Sequence, residues 1–167
     1  MFFEKVSLEE FTKAVTKCNG EKFDVNQIEQ MYANIKLPHR STERSAGYDF
    51  YAPYEIAANA SYTLVPTGIR WVVEPNEPNC VLCLFPRSGL GFKYGVALRN
   101  TVGIIDQDYC SAENEGHIMA KINAENEVTI AQGSGFMQGV ILPFLTVDDD
   151  NATGHRTGGF GSTDSKN

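Results

Sequence analysis

The chain is short of basic residues. Fourteen lysines and arginines stand against 21 aspartates and glutamates, a formal charge of -7 over 167 residues, and no basic stripe runs through it. A nucleic-acid partner is therefore not expected, because polyphosphate backbones are held by clustered Lys and Arg. Any phosphate bound here must be gripped by a few placed arginines. No apolar run of about 18 residues exists to cross a membrane, and the start Met1-Phe2-Phe3-Glu4-Lys5 lacks the charged-then-apolar order of a signal peptide. The expectation is a cytoplasmic chain with no membrane partner. Cysteine is sparse, and of Cys18, Cys80, Cys83 and Cys110 only the middle two form a C-x-x-C pair. Without a second pair or an H-x-x-x-H to complete four ligands, they read as strand cysteines in a reducing compartment, not as a zinc site. No internal repeat is present.

What the sequence does contain is 42% apolar residues in a length suited to one compact domain with an appendage. Residues 1–34 read as a helical extension. Ser7 with Glu10 makes a capping-box signature, and Leu8, Phe11, Ala14 and Val15 recur at helical spacing until Asn19-Gly20 stops the helix. A second short helix is expected over 24–34, with Val25, Ile28 and Met31 on one face. Both apolar stripes must be buried, against the chain's own domain in the preferred reading or against a protein partner in the alternative. From Ile35 to Thr146 the pattern becomes short β-prone runs broken by Gly, Pro, Asn and Asp, which predicts an all-β sandwich or barrel. The expected strands cover 49–51, 62–65, 69–73, 80–85, 96–98, 118–122, 128–130 and 140–143. Residues 147–167 read as a polar linker and a glycine-rich tail carrying Arg156 and Phe160. Asp148, Asp149 and Asp150 are adjacent, so they cannot converge as a metal cage and read as a solvated acidic turn.

The chemistry concentrates in two segments. Pro86-Arg87-Ser88-Gly89-Leu90-Gly91 offers an arginine fork for bidentate phosphate binding beside a glycine turn that lets backbone amides approach oxygen. Gly103-Ile104-Ile105-Asp106-Gln107-Asp108-Tyr109 sets a carboxylate between an apolar run and a tyrosine, a placement suited to activating water. Asp108 reads as the plain turn aspartate of the two.

With three further segments these motifs resemble, in order, the five motifs of the trimeric dUTPase family. They are Ala46-Gly47-Tyr48-Asp49-Phe50-Tyr51-Ala52, Pro86 through Gly89, Asn100 through Tyr109, Gly133 through Gln138, and Arg156-Thr157-Gly158-Gly159-Phe160-Gly161-Ser162-Thr163. The resemblance spans roughly 35–165. It implies a dUTPase-like β jelly roll with a flexible C-terminal lid, assembled as a homotrimer whose active sites are shared between chains. It also implies hydrolysis of dUTP to dUMP and pyrophosphate, which limits uracil incorporation into DNA and supplies dUMP for thymidylate synthesis.

By the same resemblance Asp106 activates the water that attacks the α-phosphorus, and Asp49 holds a hydrated Mg²⁺ through water. Main-chain groups of Gly103, Ile104 and Ile105 with Asn100 read uracil, Tyr109 packs beneath the deoxyribose, and Met119 lies near the nucleotide. Arg87, Ser88, Gly89 and Gln138 serve the phosphate chain. From the lid, Arg156 reaches the γ-phosphate, Phe160 stacks on uracil, and Gly161, Ser162 and Thr163 bind phosphate oxygens. Two departures stand out. The family commonly has an arginine three positions before the glutamine, where this chain has Gly135, and residues 110–116 are longer than the usual turn. A dCTP deaminase-type relative and a dUTPase-fold regulatory protein acting through a protein partner are the competing readings.

Overall fold

The computed structural model describes residues 1–154 together with Arg156 and Gly158. Its framework is a set of short antiparallel strands arranged in four small sheets. The chain opens with β1 (Phe2–Lys5), followed by α1 (Leu8–Asn19), α2 (Val25–Ala33), β2 (Tyr48–Tyr51), β3 (Ile56–Ala58), β4 (Thr63–Pro66) and β5 (Ile69–Val72). It continues through β6 (Cys80–Pro86), α3 (Ser88–Tyr94), β7 (Ala97–Leu98), β8 (Gly103–Ile105), β9 (Met119–Asn123), β10 (Val128–Ile130) and β11 (Gly135–Pro143). The sheet orders are β2-β11-β6-β8, β4-β9-β7, β1-β5 and β3-β10.

Alternation along the strands directs side chains from every sheet into one core. Phe50, Ile56, Val65, Trp71, Leu82, Leu84, Leu98, Ile105, Ile122, Val128, Phe136 and Met137 belong to a single buried cluster. This is the mostly-β jelly-roll architecture expected from the sequence. Cys80 and Cys83 are free thiols on β6.

The N-terminal segment is woven into that body. Its first residues form β1, a strand the sequence reading did not include, which pairs antiparallel with β5 from Phe2↔Val72 to Lys5↔Ile69. Phe3 then packs edge-on to Phe50. α1 buries Phe11, Ala14 and Val15, whereas Leu8, the first helical residue at the end of the same stripe, is exposed at 37%. On α2 only Ile28 is fully buried; Val25, at 65% exposure, is the first helical residue and faces solvent. Asn19 at the end of α1 donates to the Tyr54 hydroxyl at 3.1 Å, and the Tyr32 hydroxyl donates to the Val6 carbonyl at 2.7 Å. The apolar stripes are thus covered by the chain's own domain.

The helix starts differ from each other. At α2 a reciprocal cap that the sequence reading did not name is complete: Asp24 Oδ1 accepts from the Gln27 N–H and Gln27 Oε1 accepts from the Asp24 N–H. At α1 the Ser7 hydroxyl accepts from the Glu10 N–H at 3.1 Å, but the Ser7 N–H goes to Glu115 Oε2 at 2.8 Å. The anticipated capping box is therefore split. A carboxylate from the loop before β9 takes the place of Glu10, and Glu10 is released to bind elsewhere.

Candidate active site

The residues singled out in the sequence gather at two places. The first is the end of the β2-β11-β6 ladder. Asp49 on β2 lies opposite Gln138 on β11, and Gln138 lies opposite Phe85 on β6. Asp49 is largely buried; its Oδ2 accepts from the Ser41 hydroxyl at 2.8 Å, and its Oδ1 is 3.3 Å from Arg87 Nε. Arg87 ends β6 and precedes α3, with Leu90 and Gly91 N–H groups donating to its carbonyl. The predicted phosphate turn is thus the entrance to a seven-residue helix whose first residues are Ser88 and Gly89. The sequence reading left it as a turn because two glycines depress helix propensity.

Gly135 explains itself here. A Cβ on it would stand 2.6 Å from Arg87 Nη1, 3.1 Å from Cδ and 3.2 Å from Cζ. The space an ordinary residue would take is filled by the Arg87 guanidinium. β11 begins at Gly135, not near 140, because this glycine pairs with Tyr51 across an irregular step in the ladder.

The second place is β8 and the loop that leads from it to β9; the two strands belong to different sheets, β8 pairing with β6 and β9 with β4 and β7. β8 is the edge strand of its sheet, so alternate backbone N–H and C=O groups of Gly103–Ile105 point away from β6. Gly103 and Ile105 are buried and Ile104 is 55% exposed, so the strand is held by alternating, not continuous, burial. Asp106 follows directly. Its carboxylate accepts from Arg156 Nη2, and Asp108 Oδ1 accepts from Arg156 Nε at 2.9 Å. The sequence reading assigns Arg156 to a phosphate; the structure sets it on two carboxylates of its own chain, the anionic oxygens a guanidinium selects. Both carboxylates are about half exposed, and such pairs contribute at most about 1 kcal/mol. Phe160, Gly161, Ser162 and Thr163 lie outside the described residues.

Tyr109 is 4% exposed, with the Arg156 guanidinium 5.6 Å from its ring centre. Its hydroxyl donates to the His117 carbonyl at 3.1 Å and accepts from Asn114 Nδ2 at 2.8 Å. Burial pushes the phenol above its usual range. Asn100 and Met119 open onto a cleft of about 600 Å³. Its opposite wall is α1, through Lys13, Ala14 and Lys17.

Sequence reasoning missed His117, Glu115 and Glu10. His117 is fully buried and burial drives its pKa down to about 4. The Gly68 N–H donates to Nε2 at 2.9 Å, which leaves the proton on Nδ1 to donate to Glu10 Oε1 at 3.2 Å. Near neutral pH this is a hydrogen bond from an uncharged imidazole, not an ion pair. Burial raises the Glu10 pKa. Burial acts in the same sense on Glu115, but the Ser7 hydroxyl and N–H and the Arg70 charge outweigh it and hold that carboxyl below its ordinary value. Glu115 was signalled only by the extra length of 110–116, Glu10 was read only as part of the Ser7 capping box, and His117 carried no signal.

The two places do not meet within one chain. Ile105 pairs with Leu82, so Asp106 comes level with Val81, while Arg87 lies six residues further along. That is roughly 20 Å at the rise of a strand.

Comparison with known proteins gives one result throughout. A dUTPase family model matches residues 33–164. The deoxyuridine 5'-triphosphate nucleotidohydrolase of Lactococcus lactis subsp. lactis (strain IL1403) is 42% identical over 137 residues, covering 78% of this chain and 89% of that protein. The crystal structure of dUTPase from Streptococcus mutans superposes with a TM-score of 0.62 at 32% identity, covering 89% of this chain and 99% of the other. A mutant dUTPase from phage phi11 of S. aureus, whose structure concerns a structural Mg(II) ion, shares the fold with a TM-score of 0.56 at 17% identity, covering 72% and 92%. The chain belongs to the dUTPase family.

Proposed function

We propose that the chain hydrolyses dUTP to dUMP and pyrophosphate at composite sites built from the two half-sites by association of identical chains, the trimer of the family resemblance. The observation that carries this reading is the separation of roughly 20 Å between Arg87 and Asp106 along β6. A backbone separation of that size supports a site in which the phosphate end of one copy faces the β8 edge of another.

In the nucleoside half-site, the outward N–H and C=O groups of Gly103–Ile105 complement uracil O4 and N3–H and would leave cytosine unpaired, which discriminates strongly. Asn100 adds a side-chain amide at the mouth of the cleft. The ring of Tyr109, pinned through its hydroxyl, supports the deoxyribose and offers a 2'-OH no partner. Asp106 orients the attacking water and takes its proton. Arg156 leaves the two carboxylates for the γ-phosphate as substrate binds, which frees Asp106 to act as a base. Phe160, Gly161, Ser162 and Thr163 complete the closure over base and phosphates.

In the phosphate half-site, Arg87, Ser88, Gly89 and Gln138 hold the phosphate chain. Among the described residues no cluster of three or more His, Cys, Asp or Glu side chains is placed to cage a metal. Asp49 has both oxygens engaged, by Ser41 and Arg87. That suits a hydrated Mg²⁺ held through water with its remaining oxygens from substrate. The ion supplies charge neutralisation on the triphosphate, and the chain's own residues orient it.

The test compares dUTP, UTP, dTTP and dCTP as substrates for the protein and for Asp106→Asn. Pyrophosphate release from dUTP alone, falling about 10²- to 10⁴-fold in the variant while dUMP still binds, is the expected result. Ammonia from dCTP would assign the deaminase reaction instead. Turnover undiminished in Asp106→Asn would remove the catalytic assignment.

A further inference from the structure

We propose that the N-terminal extension is a positioning element of the nucleoside half-site, acting through a latch in which Glu115 grips the start of α1. This rests on the reading of β8 and the loop between β8 and β9 as the nucleoside-binding element. Ser7 gives both its N–H and its hydroxyl to the Glu115 carboxylate, at 2.8 and 2.5 Å. One helical turn on, Glu10 receives the His117 Nδ1–H, and the Phe11 ring lies 6.3 Å from the imidazole. Three residues near the start of α1 therefore converge on a loop of three.

That loop is the support of Tyr109. Asn114 donates to the Tyr109 hydroxyl, and the hydroxyl donates to the His117 carbonyl. Gly116 presses on the backbone beneath: a Cβ there would meet Cys110 Cα at 2.6 Å and the Tyr109 carbonyl oxygen at 2.7 Å, and its φ is +71°. Between them Glu115 adopts φ 58°, a left-handed conformation that a β-carbon disfavours. Such strain persists only where surrounding contacts hold it; the local turn supplies some, with the Glu115 N–H on the Ala112 carbonyl at 2.8 Å, and Ser7 and the Arg70 guanidinium on the Glu115 carbonyl add the long-range ones. The conformation serves to aim the carboxylate at α1. A helix present only to cover apolar surface needs no such aim, since Phe11 and Val15 achieve that cover.

The same helix walls the cleft that Asn100 and Met119 face. α1 thus fixes both the floor of the nucleoside half-site, through Tyr109, and one side of its entrance. It has no described contact with Arg87, Asp49 or Gln138. The two half-sites should therefore respond differently when the latch is cut.

The experiment uses the full-length protein with Ser7→Ala, Glu115→Gly, Glu115→Gln and the Ser7→Ala/Glu115→Gly double variant. Glu115→Gly removes the carboxylate and relieves the backbone strain together, so it keeps the fold while losing the latch. The readouts are dUMP affinity by calorimetry, inhibition by inorganic pyrophosphate, kcat and KM for dUTP, and Tm. Expected for Glu115→Gly are dUMP affinity and KM weakened by about fivefold to tenfold, the net worth of one ordinary hydrogen bond, with pyrophosphate inhibition and Tm unchanged. The double variant should add nothing to it, and Glu115→Gln, which still accepts from the Ser7 N–H, should recover most of the affinity. Unchanged dUMP affinity in Glu115→Gly overturns the proposal, as does equal weakening of dUMP and pyrophosphate. A fall in Tm that accounts for the loss of activity makes the extension merely structural and overturns it too. Wild-type turnover of dUTP is measured alongside, so its absence would strike the functional reading while the latch result stands separately.

Discussion

Replacing Gly135 by alanine should damage catalysis while sparing the fold. The new Cβ would sit 2.6 Å from Arg87 Nη1 and 3.2 Å from Cζ, where ordinary contact needs about 3.5 Å or more. The obstruction is the far end of a long side chain, so Arg87 moves by about an ångström and the backbone does not. Gly135 does not have a positive φ, so alanine suits its strand. The Nε contact with Asp49, 3.3 Å with Arg87 45% exposed, contributes at most about 1 kcal/mol after solvent screening. Stability should change by less than about 1 kcal/mol in urea unfolding. A displaced bidentate phosphate contact is worth more, about 1.5–3 kcal/mol, or roughly 10- to 100-fold in kcat/KM for dUTP. In an Arg87→Ala background the same substitution should cost nothing further, which a double-mutant cycle reads directly. Full activity in Gly135→Ala, or equal losses with and without Arg87, would refute the reasoning.

Two further outcomes follow from buried groups. His117 titrates near 6.5 when unfolded and at about 4 when folded, so between those values the unfolded chain binds more protons. Stability contributed by its neutral form is complete above about pH 6.5 and falls by about 3 kcal/mol as the pH drops to 4; the raised pKa of Glu10 opposes part of this. Urea midpoints at pH 7, 5.5 and 4 should show a slope that His117→Gln removes, and an identical slope in that variant would be decisive against it. Phe11→Ala, at a side chain with no exposure, should cost about 3–5 kcal/mol by the same measurement, and a cost below about 1 kcal/mol would show that α1 is not part of the cooperative core.

Much of this protein was legible before any coordinates. The cap at Ser7 and the apolar spacing of Val25, Ile28 and Met31 place both N-terminal helices within a residue of their true starts. Most of the strands were equally readable, although β3 (Ile56–Ala58), which alternates between core and surface, was not among those expected. What escaped had weak local signals. β1 is four residues long and exists because β5 offers it an edge, a fact recorded sixty-odd residues away. α3 carries two glycines in seven residues. The reach of β11 back to Gly135 was obscured by glycines at 135 and 139, the second of which leaves room for Leu82 and Phe50. At the site, motif order located Asp49, Arg87, Asp106 and Tyr109. It could not show that Arg87 fills the hollow of Gly135, or that Glu115 completes the cap of a helix 108 positions earlier.

That last contact bears on how the molecule assembles during its own synthesis. α1 leaves the ribosome among the first segments, with its initial turn lacking one acceptor and its buried stripe lacking a surface to lie on. The surface comes in part from α2 and β4, which follow soon after, but the acceptor is not supplied until the chain has grown past residue 115. A loop closure of that span is slow relative to helix formation, so the extension waits as a frayed helix while the sheets form. Its docking then becomes a checkpoint: the first turn of α1 is complete only on a chain whose loop before β9 is already in place.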